Sequence, residues 1–381
     1  MQTRRCSSVR LVLHEFCRGW IIEKMALKLC EALRDLGVDA VVSERPSPDA
    51  AVNHFMIFHY VDVMPGTLNT MAITHVDDML KVDMARRHLA NGVRAAICMS
   101  SMTAEQLAGY KVDRDRLTYA LPAHDVATAP RRIVIGITSA NYSDGRKRDW
   151  LLTRLANDMR LDDFEFPIFG RGWEAVAARL EAAGAKVELH VPTVDYKADY
   201  EAIKLAIPLF DYYFYPGLDE GSMGALDALA AGVKTIVTNQ GFHLDIPHGV
   251  THGFWDYDEL LKIFRGIRDD MRGRVEAARA LTWTRYAQRH LDIWNALLER
   301  DELPPGDRLS AECDSPRIEV NKFPVLSYRE LLADPFRREM ALRFWTPALF
   351  KFYLALRQFR QDLGLGSKFR KMIRASGAES R

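Results

Sequence analysis

The stretch over residues 211–237 constrains the fold of this chain more than any other. An aromatic run typical of a buried strand ends at Pro216-Gly217, and a short acidic, glycine-rich loop follows it. A helix of small residues then extends to Gly232, and the next strand is predicted over 233–237. A strand, a glycine loop and a helix N-terminus form a pocket for an anion, because free backbone N–H groups and the positive end of the helix dipole point at one spot.

Two carboxylates flank this predicted pocket. Asp219 and Asp227 lie eight positions apart, and Glu220 and Gly221 belong to the loop between them. Carboxylates repel bare phosphate, but they accept hydrogen bonds well from hydroxyl groups. A sugar nucleotide offers a diphosphate for the helix end and many hydroxyls for the acids. The alternative is an ordinary strand–helix junction of a Rossmann-like domain, capped by Ser222.

Strands and helices alternate in both halves of the chain. Strands are predicted at 9–14, 38–42, 54–60, 70–74, 94–99 and 117–121, and again at 132–138, 164–169, 187–190, 212–215 and 233–237. Helices are predicted at 22–36, 100–110, 150–159, 174–183 and 200–207, and then at 282–299. This alternation predicts two doubly wound α/β domains. Ligands of such sheets bind at the carboxyl ends of the strands, so we expect the site in the cleft between the domains.

Changes in this pattern set the predicted domain boundaries. The first domain is predicted over 1–126, and the second over 127–300, ending with the amphipathic helix at 282–299. Pro304 and Pro305 then break the helical pattern, so we expect a separate, partly helical extension over 301–381.

The end of this extension is strongly basic. Residues 336–381 carry 11 Lys or Arg residues against three acids, a net charge of +8. A helix is predicted after Thr346-Pro347, with one apolar face formed by Leu349, Phe352, Tyr353, Leu356, Phe359 and Leu363. A basic amphipathic helix with aromatic residues binds anionic membranes. The alternative is a helix that packs on the protein's own surface or on a partner subunit.

The composition excludes several classes of protein. With 52 basic and 51 acidic residues the net charge is +1, so no nucleic-acid partner is expected. The five cysteines lack the spacing of a zinc site or a disulfide frame and favour a reducing compartment; they are Cys6, Cys17, Cys30, Cys98 and Cys313. No apolar run fits a signal peptide or a membrane span, so a cytoplasmic location is expected, with peripheral attachment to the inner face of the membrane as a further candidate.

The stretch over 211–237 resembles the donor-site signature of retaining glycosyltransferases of family 4, which have the GT-B fold. That signature has an acidic residue, a glycine-rich loop, a second acid eight positions later and a small-residue run that ends in glycine. The family usually has Glu at both acidic positions, where this chain has the shorter Asp219 and Asp227, and Glu220 is the alternative to Asp219. The resemblance covers about residues 9–300 and implies two Rossmann-like domains that face a cleft.

A basic segment precedes the first helix of the second domain. Gly145 is followed by Arg146, Lys147 and Arg148, and cations at a helix entry suit a diphosphate leaving group whose charge develops during transfer. In the family an Arg and a Lys in this region hold the donor diphosphate. Lys147 matches the Lys, and Arg146 is the candidate for the Arg, whose usual place is occupied by residues 139–141. The alternative is a solvated basic turn.

The resemblance also extends to two positions in the first domain. His75 follows a predicted buried strand, where the family often has a His that faces the acceptor and the scissile bond. Histidine serves as an acid or base near neutral pH, although a lone His after a strand is often structural. Gly19 lies in the loop after the first strand, where the family has a glycine-rich loop close to the donor. Trp20 and Arg18 in that loop are candidates for acceptor binding.

The resemblance implies a glycosyltransferase that moves a hexose-type sugar from a nucleotide-sugar donor to a glycan or lipid-linked acceptor with retention of configuration. His75 and Asp219 are the predicted catalytic residues, and the predicted donor-binding residues are Gly19, Arg146, Lys147, Glu220, Gly221 and Asp227. No metal and no cofactor besides the donor substrate is expected, and the DxD strings at 113–115 and 256–258 are interpreted as solvated loops. The alternatives are a sugar-nucleotide epimerase and a non-catalytic, degenerate GT-B scaffold that binds sugar nucleotides.

Overall fold

The computed structural model describes residues 5–125, 129–193, 195–304 and 325–335. The chain divides into two compact units, which we call the first unit (Met1–Asp125 with Ala280–Arg381) and the second unit (Val126–Arg279). The basic stretch 336–381, with its predicted helix, and Cys313 lie outside the described residues. Among the described residues, no helix is both long enough and apolar enough to cross a membrane.

The first unit contains a six-stranded parallel sheet in the order β2-β1-β3-β4-β5-β6. The strands are β1 (Ser8–Val12), β2 (Asp39–Ser43), β3 (Val52–Phe55), β4 (Leu68–Ile73), β5 (Ala95–Cys98) and β6 (Leu117–Tyr119). The helices between them are α1 (Ile21–Asp35), α2 (Met79–Ala90) and α3 (Ser101–Gly109). The inner strands are short apolar runs because helices cover both faces of a parallel sheet.

The second unit contains another six-stranded parallel sheet, in the order β12-β11-β10-β7-β8-β9. The strands are β7 (Ile133–Gly136), β8 (Phe164–Phe169), β9 (Lys186–His190), β10 (Tyr212–Tyr215), β11 (Lys234–Thr238) and β12 (His252–Phe254). The helices are α4 (Trp150–Asp158), α5 (Glu174–Ala182), α6 (Tyr196–Ala206), α7 (Met223–Ala230) and α8 (Tyr257–Arg279). This order is that of a dinucleotide-binding Rossmann sheet. The predicted α/β class with two Rossmann-like domains is therefore confirmed.

Two elements of the second unit were not predicted, and one prediction there was wrong. The interpretation of residues 256–258 as a solvated loop fails because α8 begins at Tyr257 and has Asp258 in its first turn. Tyr257, Leu260 and Phe264 are buried at the spacing of one helix face, but charged residues separate them and mask the period. The short strand β12 was also missed. The other DxD string is an exposed turn, as predicted, because Asp113 precedes a single 3₁₀ turn over Arg114–Arg116.

The chain returns from the second unit to the first through a helix, α9 (Trp283–Arg300). This helix, which lies within the predicted second domain at 127–300, belongs to the first unit and packs its apolar face against α1. Thr282 caps its N-terminus, and the Trp294 indole N–H donates to Thr70 Oγ1 on β4 at 3.1 Å. A short helix, α10 (Tyr328–Ala333), follows within the described part of the extension and begins with a capping box at Ser327.

Candidate functional site

The strand order of the second unit reverses between β7 and β10, because β7 pairs with β10 on one side and β8 on the other. Open α/β sheets bind ligands outside the carboxyl ends of their strands at such a reversal. The segments that follow these two strands are residues 137–149 and 216–222. Six of the eight predicted site residues lie in these segments or in the helix that follows, and the other two, His75 and Gly19, belong to the first unit.

Helix α7 is seated directly on the sheet edge. A Cβ at Gly224 would lie 2.6 Å from Tyr213 Oη and closer still to Thr138 Oγ1, so only glycine allows this approach. Tyr213 Oη is 2.6 Å from Ser222 Oγ and 3.1 Å from Thr138 Oγ1. Ser222 therefore occupies the N-cap position but bonds to the tyrosine rather than capping the helix. The amides of Met223 and Gly224 precede the intrahelical hydrogen-bond pattern and are the anion donors of this site.

The loop before α7 is fixed by the segment after β11. Gly221 has a φ of +122°, which favours glycine. The Ser222 amide donates to His243 Nε2 at 3.0 Å, and the Phe242 amide donates to the Glu220 carbonyl at 3.0 Å. Because Nε2 accepts, the His243 proton resides on Nδ1, and burial lowers the pKa of this imidazole. His243 is a positioning residue that no sequence motif indicated.

Lys147, Tyr215 and Asp219 form a hydrogen-bonded cluster beside this loop. Lys147 Nζ donates to Asp219 Oδ2 at 2.9 Å and also to the Tyr215 hydroxyl. The Tyr215 hydroxyl in turn donates to Asp219 Oδ1 at 2.5 Å, and the Gly221 amide lies 3.3 Å from the same oxygen. The structure thus joins the predicted diphosphate-binding lysine to the predicted sugar-binding acid, with a tyrosine that the sequence did not identify.

The cluster sets the charges of its members. Burial raises the pKa of the Asp219 carboxyl, but the hydrogen bonds from Tyr215 and Lys147 and the charge of Lys147 outweigh this effect, so the pKa lies below its usual range. Burial and the neighbouring carboxylate of Asp219 raise the pKa of Tyr215 well above its ordinary value. At neutral pH the cluster therefore contains an ammonium group, a carboxylate and a neutral phenol.

The two arginines beside Lys147 have different surroundings. Arg146 is half exposed, with Nε 3.1 Å from Asp144 Oδ2 and its guanidinium 4.9 Å from the centre of the Tyr142 ring. It therefore lies at the rim of the site rather than in the Lys147 cluster. Its carbonyl accepts from the Leu218 amide at 2.8 Å, which ties the basic segment to the acidic loop.

Arg148 is a buried fastener of the sheet edge. Only 7% of its surface is exposed, and it donates to the Pro216 carbonyl at 2.7 Å, the Trp255 carbonyl at 2.6 Å and Thr238 Oγ1 at 2.6 Å. These acceptors follow or end β10, β12 and β11, so one guanidinium connects three strand ends. Its neighbours Glu220 and Asp227 in the predicted site are more accessible: Glu220 is exposed, and Asp227 is half buried one helical turn beyond Met223.

His75 lies in a polar cluster at the end of β4 in the first unit. Its Nδ1 is 2.9 Å from Thr74 Oγ1, and its Nε2 is 3.2 Å from Lys81 Nζ. Lys81 also pairs with Asp77 and lies 3.4 Å from Asp78 Oδ2. Burial and the charge of Lys81 lower the pKa of His75, so the imidazole is neutral at pH 7. Lys81 is a second residue of this cluster that the motif at 74–78 did not reveal.

Gly19 begins the turn into α1. Its φ of +75° is in the left-handed region, and its amide donates to Glu23 Oε2 at 2.6 Å in the first turn of that helix. The glycine is therefore required by the backbone turn itself, and nothing lies within 4 Å of the place where a Cβ would stand.

No metal site is formed by the described residues, since no group of three or more His, Cys, Asp or Glu side chains there could hold an ion. The four described cysteines are buried and free. Independence from metal stays a prediction.

No protein-family model matches the sequence, and no curated protein matches it. Solved structures do match, and three are glycosyltransferases or bind their substrates by their descriptions. A glycosyltransferase from Rickettsia africae ESF-5 is 10% identical over 78% of this chain and 100% of that chain, with a TM-score of 0.32. HepE of Anabaena in complex with UDP and glucose is 11% identical over 77% and 98%, with a TM-score of 0.28. AviGT4, from avilamycin A biosynthesis, is 13% identical over 78% and 99%, with a TM-score of 0.30. At these TM-scores the architecture rests on the strands and helices described above.

Proposed function

We propose that this chain is a GT-B glycosyltransferase that takes a hexose-type sugar from a nucleotide-sugar donor and transfers it, with retention of configuration, to a glycan or lipid-linked acceptor. One observation carries the proposal. At the strand reversal of a Rossmann sheet, a helix N-terminus seated on Gly224 lies in the same edge as an ammonium–carboxylate pair, Lys147 and Asp219. This edge offers groups for both halves of a sugar nucleotide, the diphosphate and the hydroxyls.

Donor binding would exchange one ion pair for another. Lys147 is held by Asp219 in the ligand-free protein, and a diphosphate supplies the negative charge that lets Lys147 change partner. The Asp219 carboxylate is then released to accept hydrogen bonds from sugar hydroxyls. Because Tyr215 contacts both groups, it retains one hydrogen bond to the cluster through this exchange.

The transfer step needs stabilisation of a leaving diphosphate. Lys147 and the first amides of α7 would act on the charge that develops there, which is the task that a metal ion performs in other enzymes. We therefore propose a metal-independent reaction. Asp227, one turn along α7, is the proposed ribose ligand, and neutral His75 is the proposed group at the reacting region, suited to accept a hydrogen bond rather than to donate a proton.

A second candidate is a protein that binds or epimerises sugar nucleotides without transfer to an acceptor. Two observations favour it: Arg146 faces Asp144, and among the described residues Lys147 is the cation joined to the acidic loop, already paired with Asp219. A site with one committed cation stabilises a leaving group less than a site with two.

The test begins with thermal unfolding in the presence of UDP-, GDP- and ADP-sugars, each beside its free nucleotide, since a ligand of the folded state raises the apparent stability. We expect a shift with one nucleotide class. The stabilising donor is then incubated with and without acceptor extracts, and the anomeric proton of the product is followed by NMR. A new α-linked product from an α-linked donor supports retaining transfer; conversion without acceptor supports the epimerase; binding without any conversion supports the scaffold.

We further propose a cytoplasmic protein that attaches peripherally to an anionic membrane through residues 336–381. What supports this proposal is the net charge of +8 and the apolar face predicted in that stretch. No nucleic-acid partner is proposed.

A further inference from the structure

The strand order of the first unit reverses between β1 and β3, because β1 pairs with β2 on one side and β3 on the other. Ligands of open α/β sheets bind at such a reversal, next to the residues that follow the two strands. Here His14 follows β1 and Tyr60 follows β3. The proposed donor site does not use this edge, which leaves its function unassigned.

Three aromatic rings lie nearly parallel at this reversal, and we call His14, Phe16 and Tyr60 the aromatic platform. The centres of the His14 and Tyr60 rings are 3.7 Å apart, with an interplanar angle of 13°. Phe16 lies 5.2 Å from His14 at 13° and 6.0 Å from Tyr60 at 25°. Residues from two different strand ends therefore present flat faces in one direction.

The platform is held by the main chain rather than by chance packing of side chains. His14 is the N-cap of a 3₁₀ turn, and its Nδ1 accepts from the Phe16 amide at 3.3 Å, which fixes the plane of the imidazole. The same turn closes with the Cys17 amide donating to the His14 carbonyl at 2.9 Å, and Cys17 is buried. A preorganised platform loses little freedom when a ligand binds.

The exposure of the platform is unusual for such large rings. Phe16 is 66% exposed, and Trp20 on the same loop is 67% exposed. Single exposed apolar residues are common, but an exposed ring stacked at a ligand-binding edge is a different case. Aromatic rings present a flat apolar face to a ligand and leave the hydrogen-bonding edge of that ligand free.

Charged groups surround the loop that carries Phe16. Arg18 Nη2 lies 2.5 Å from Glu44 Oε1, both side chains are more than half exposed, and Glu15 is exposed next to Phe16. A lipid chain gains nothing from charged groups at the rim. A sugar ring has an apolar C–H face that suits the rings and hydroxyls that suit the carboxylates and the guanidinium.

We infer that the aromatic platform binds a pyranose ring of the acceptor, with the apolar face of the sugar on Phe16 and Tyr60 and its hydroxyls toward Arg18 and Glu44. This inference rests on the proposed transferase function and selects a glycan over a lipid tail as the acceptor group that is recognised at this edge.

The test is saturation-transfer NMR on the full chain with methyl pyranosides as probes: the α and β methyl glycosides of glucose, galactose, mannose and N-acetylglucosamine. At least one is expected to receive saturation, most strongly at the C–H protons of one ring face. Phe16→Ala and Tyr60→Ala should each reduce the effect at least fivefold, because each removes one ring of the platform. Phe16→Tyr keeps a ring and should retain binding, and Trp150→Ala, an exposed aromatic of the second unit, should leave it unchanged.

Lys147→Met separates this inference from the proposed function, because it should weaken donor binding and leave methyl glycoside binding intact. If wild-type protein binds a glycoside through Phe16 but binds no nucleotide sugar, the transferase proposal fails and the sugar platform stands. The platform is refuted if no glycoside gives a signal that depends on Phe16. It is equally refuted if Phe16→Ala leaves glycoside binding unchanged and abolishes binding to phosphatidylcholine vesicles instead.

Discussion

Acid should destabilise the first unit through a buried histidine on α9. His290 is fully buried, and its Nδ1 lies 2.8 Å from the Tyr286 carbonyl, so Nδ1 carries the proton and Nε2 must receive the second one. Among the described residues Nε2 has no hydrogen-bond partner. The rings of His54 and Trp294 lie 5.3 Å away on either side. Charging this imidazole therefore places a cation in an aromatic core.

The magnitude follows from the difference between the folded and unfolded proteins. Burial lowers the pKa of His290 from 6.5 to about 4. Between these values the unfolded chain binds more protons, so stability is present above pH 6.5 and is lost as the pH falls toward 4. One such histidine costs about 2 kcal/mol at pH 5 and about 3 kcal/mol below pH 4, at 1.36 kcal/mol for each pKa unit. Burial lowers the pKa of His54 as well, which acts in the same direction.

Hydrogen exchange at pH 7.5 and pH 5.0, corrected for the intrinsic exchange rates, measures this loss in the most protected amides of β4 and α9. A loss of 2 kcal/mol corresponds to a roughly 30-fold drop in protection. His290→Phe removes the titrating group and keeps an apolar ring of similar size, so its drop should be smaller by about that factor. His248→Asn, an exposed histidine with a left-handed backbone, is the matched control. Equal drops in wild type and His290→Phe would refute the reasoning.

Three further predictions concern the second unit and the basic extension. Gly224→Ala should displace the first turn of α7, lower the free energy of unfolding in urea by about 1–3 kcal/mol and abolish donor binding, because its Cβ meets Thr138 and Tyr213; unchanged donor affinity would contradict the seating of the helix. Arg148→Met should cost about 3 kcal/mol or more in the same assay, since three buried acceptors lose their donor, whereas Arg146→Met should change stability by less than about 0.5 kcal/mol; similar effects would show that burial of the guanidinium is unimportant. The full chain should sediment with vesicles containing phosphatidylglycerol and a chain ending at residue 335 should not; equal sedimentation would place membrane binding elsewhere.

Local sequence signals predicted the elements whose ends are marked by the chain itself. Strands β8 and β10 were predicted with the observed bounds, because each is an aromatic or apolar run that ends at a glycine or a Pro-Gly pair. The strand predicted at 54–60 ends at Phe55 instead. Its apolar character continues through Phe58 and Tyr60, but these residues form turns that support the aromatic platform. A buried turn and a buried strand have the same hydrophobic pattern.

The candidate site was predictable in its motifs but not in its connections. The glycine loop and α7 follow from residues adjacent in sequence. The bond between Lys147 and Asp219 joins residues 72 positions apart, and Arg148 reaches a carbonyl 107 positions away. Such contacts depend on the order of strands in the sheet, which no spacing in the sequence reports. Arg146 and Arg148 also show that neighbouring cations in one basic segment have unrelated surroundings.

The measurement that tests the account most directly is calorimetric titration of the stabilising nucleotide sugar into wild type and Lys147→Met. A charge-assisted hydrogen bond contributes about 1.5–3 kcal/mol, so the variant should bind roughly 10- to 150-fold more weakly. Arg160→Met, which removes an exposed arginine paired only with Asp162 in the described structure, should bind like wild type. Equal affinity of wild type and Lys147→Met would contradict a nucleotide-sugar site at the strand reversal of the second unit.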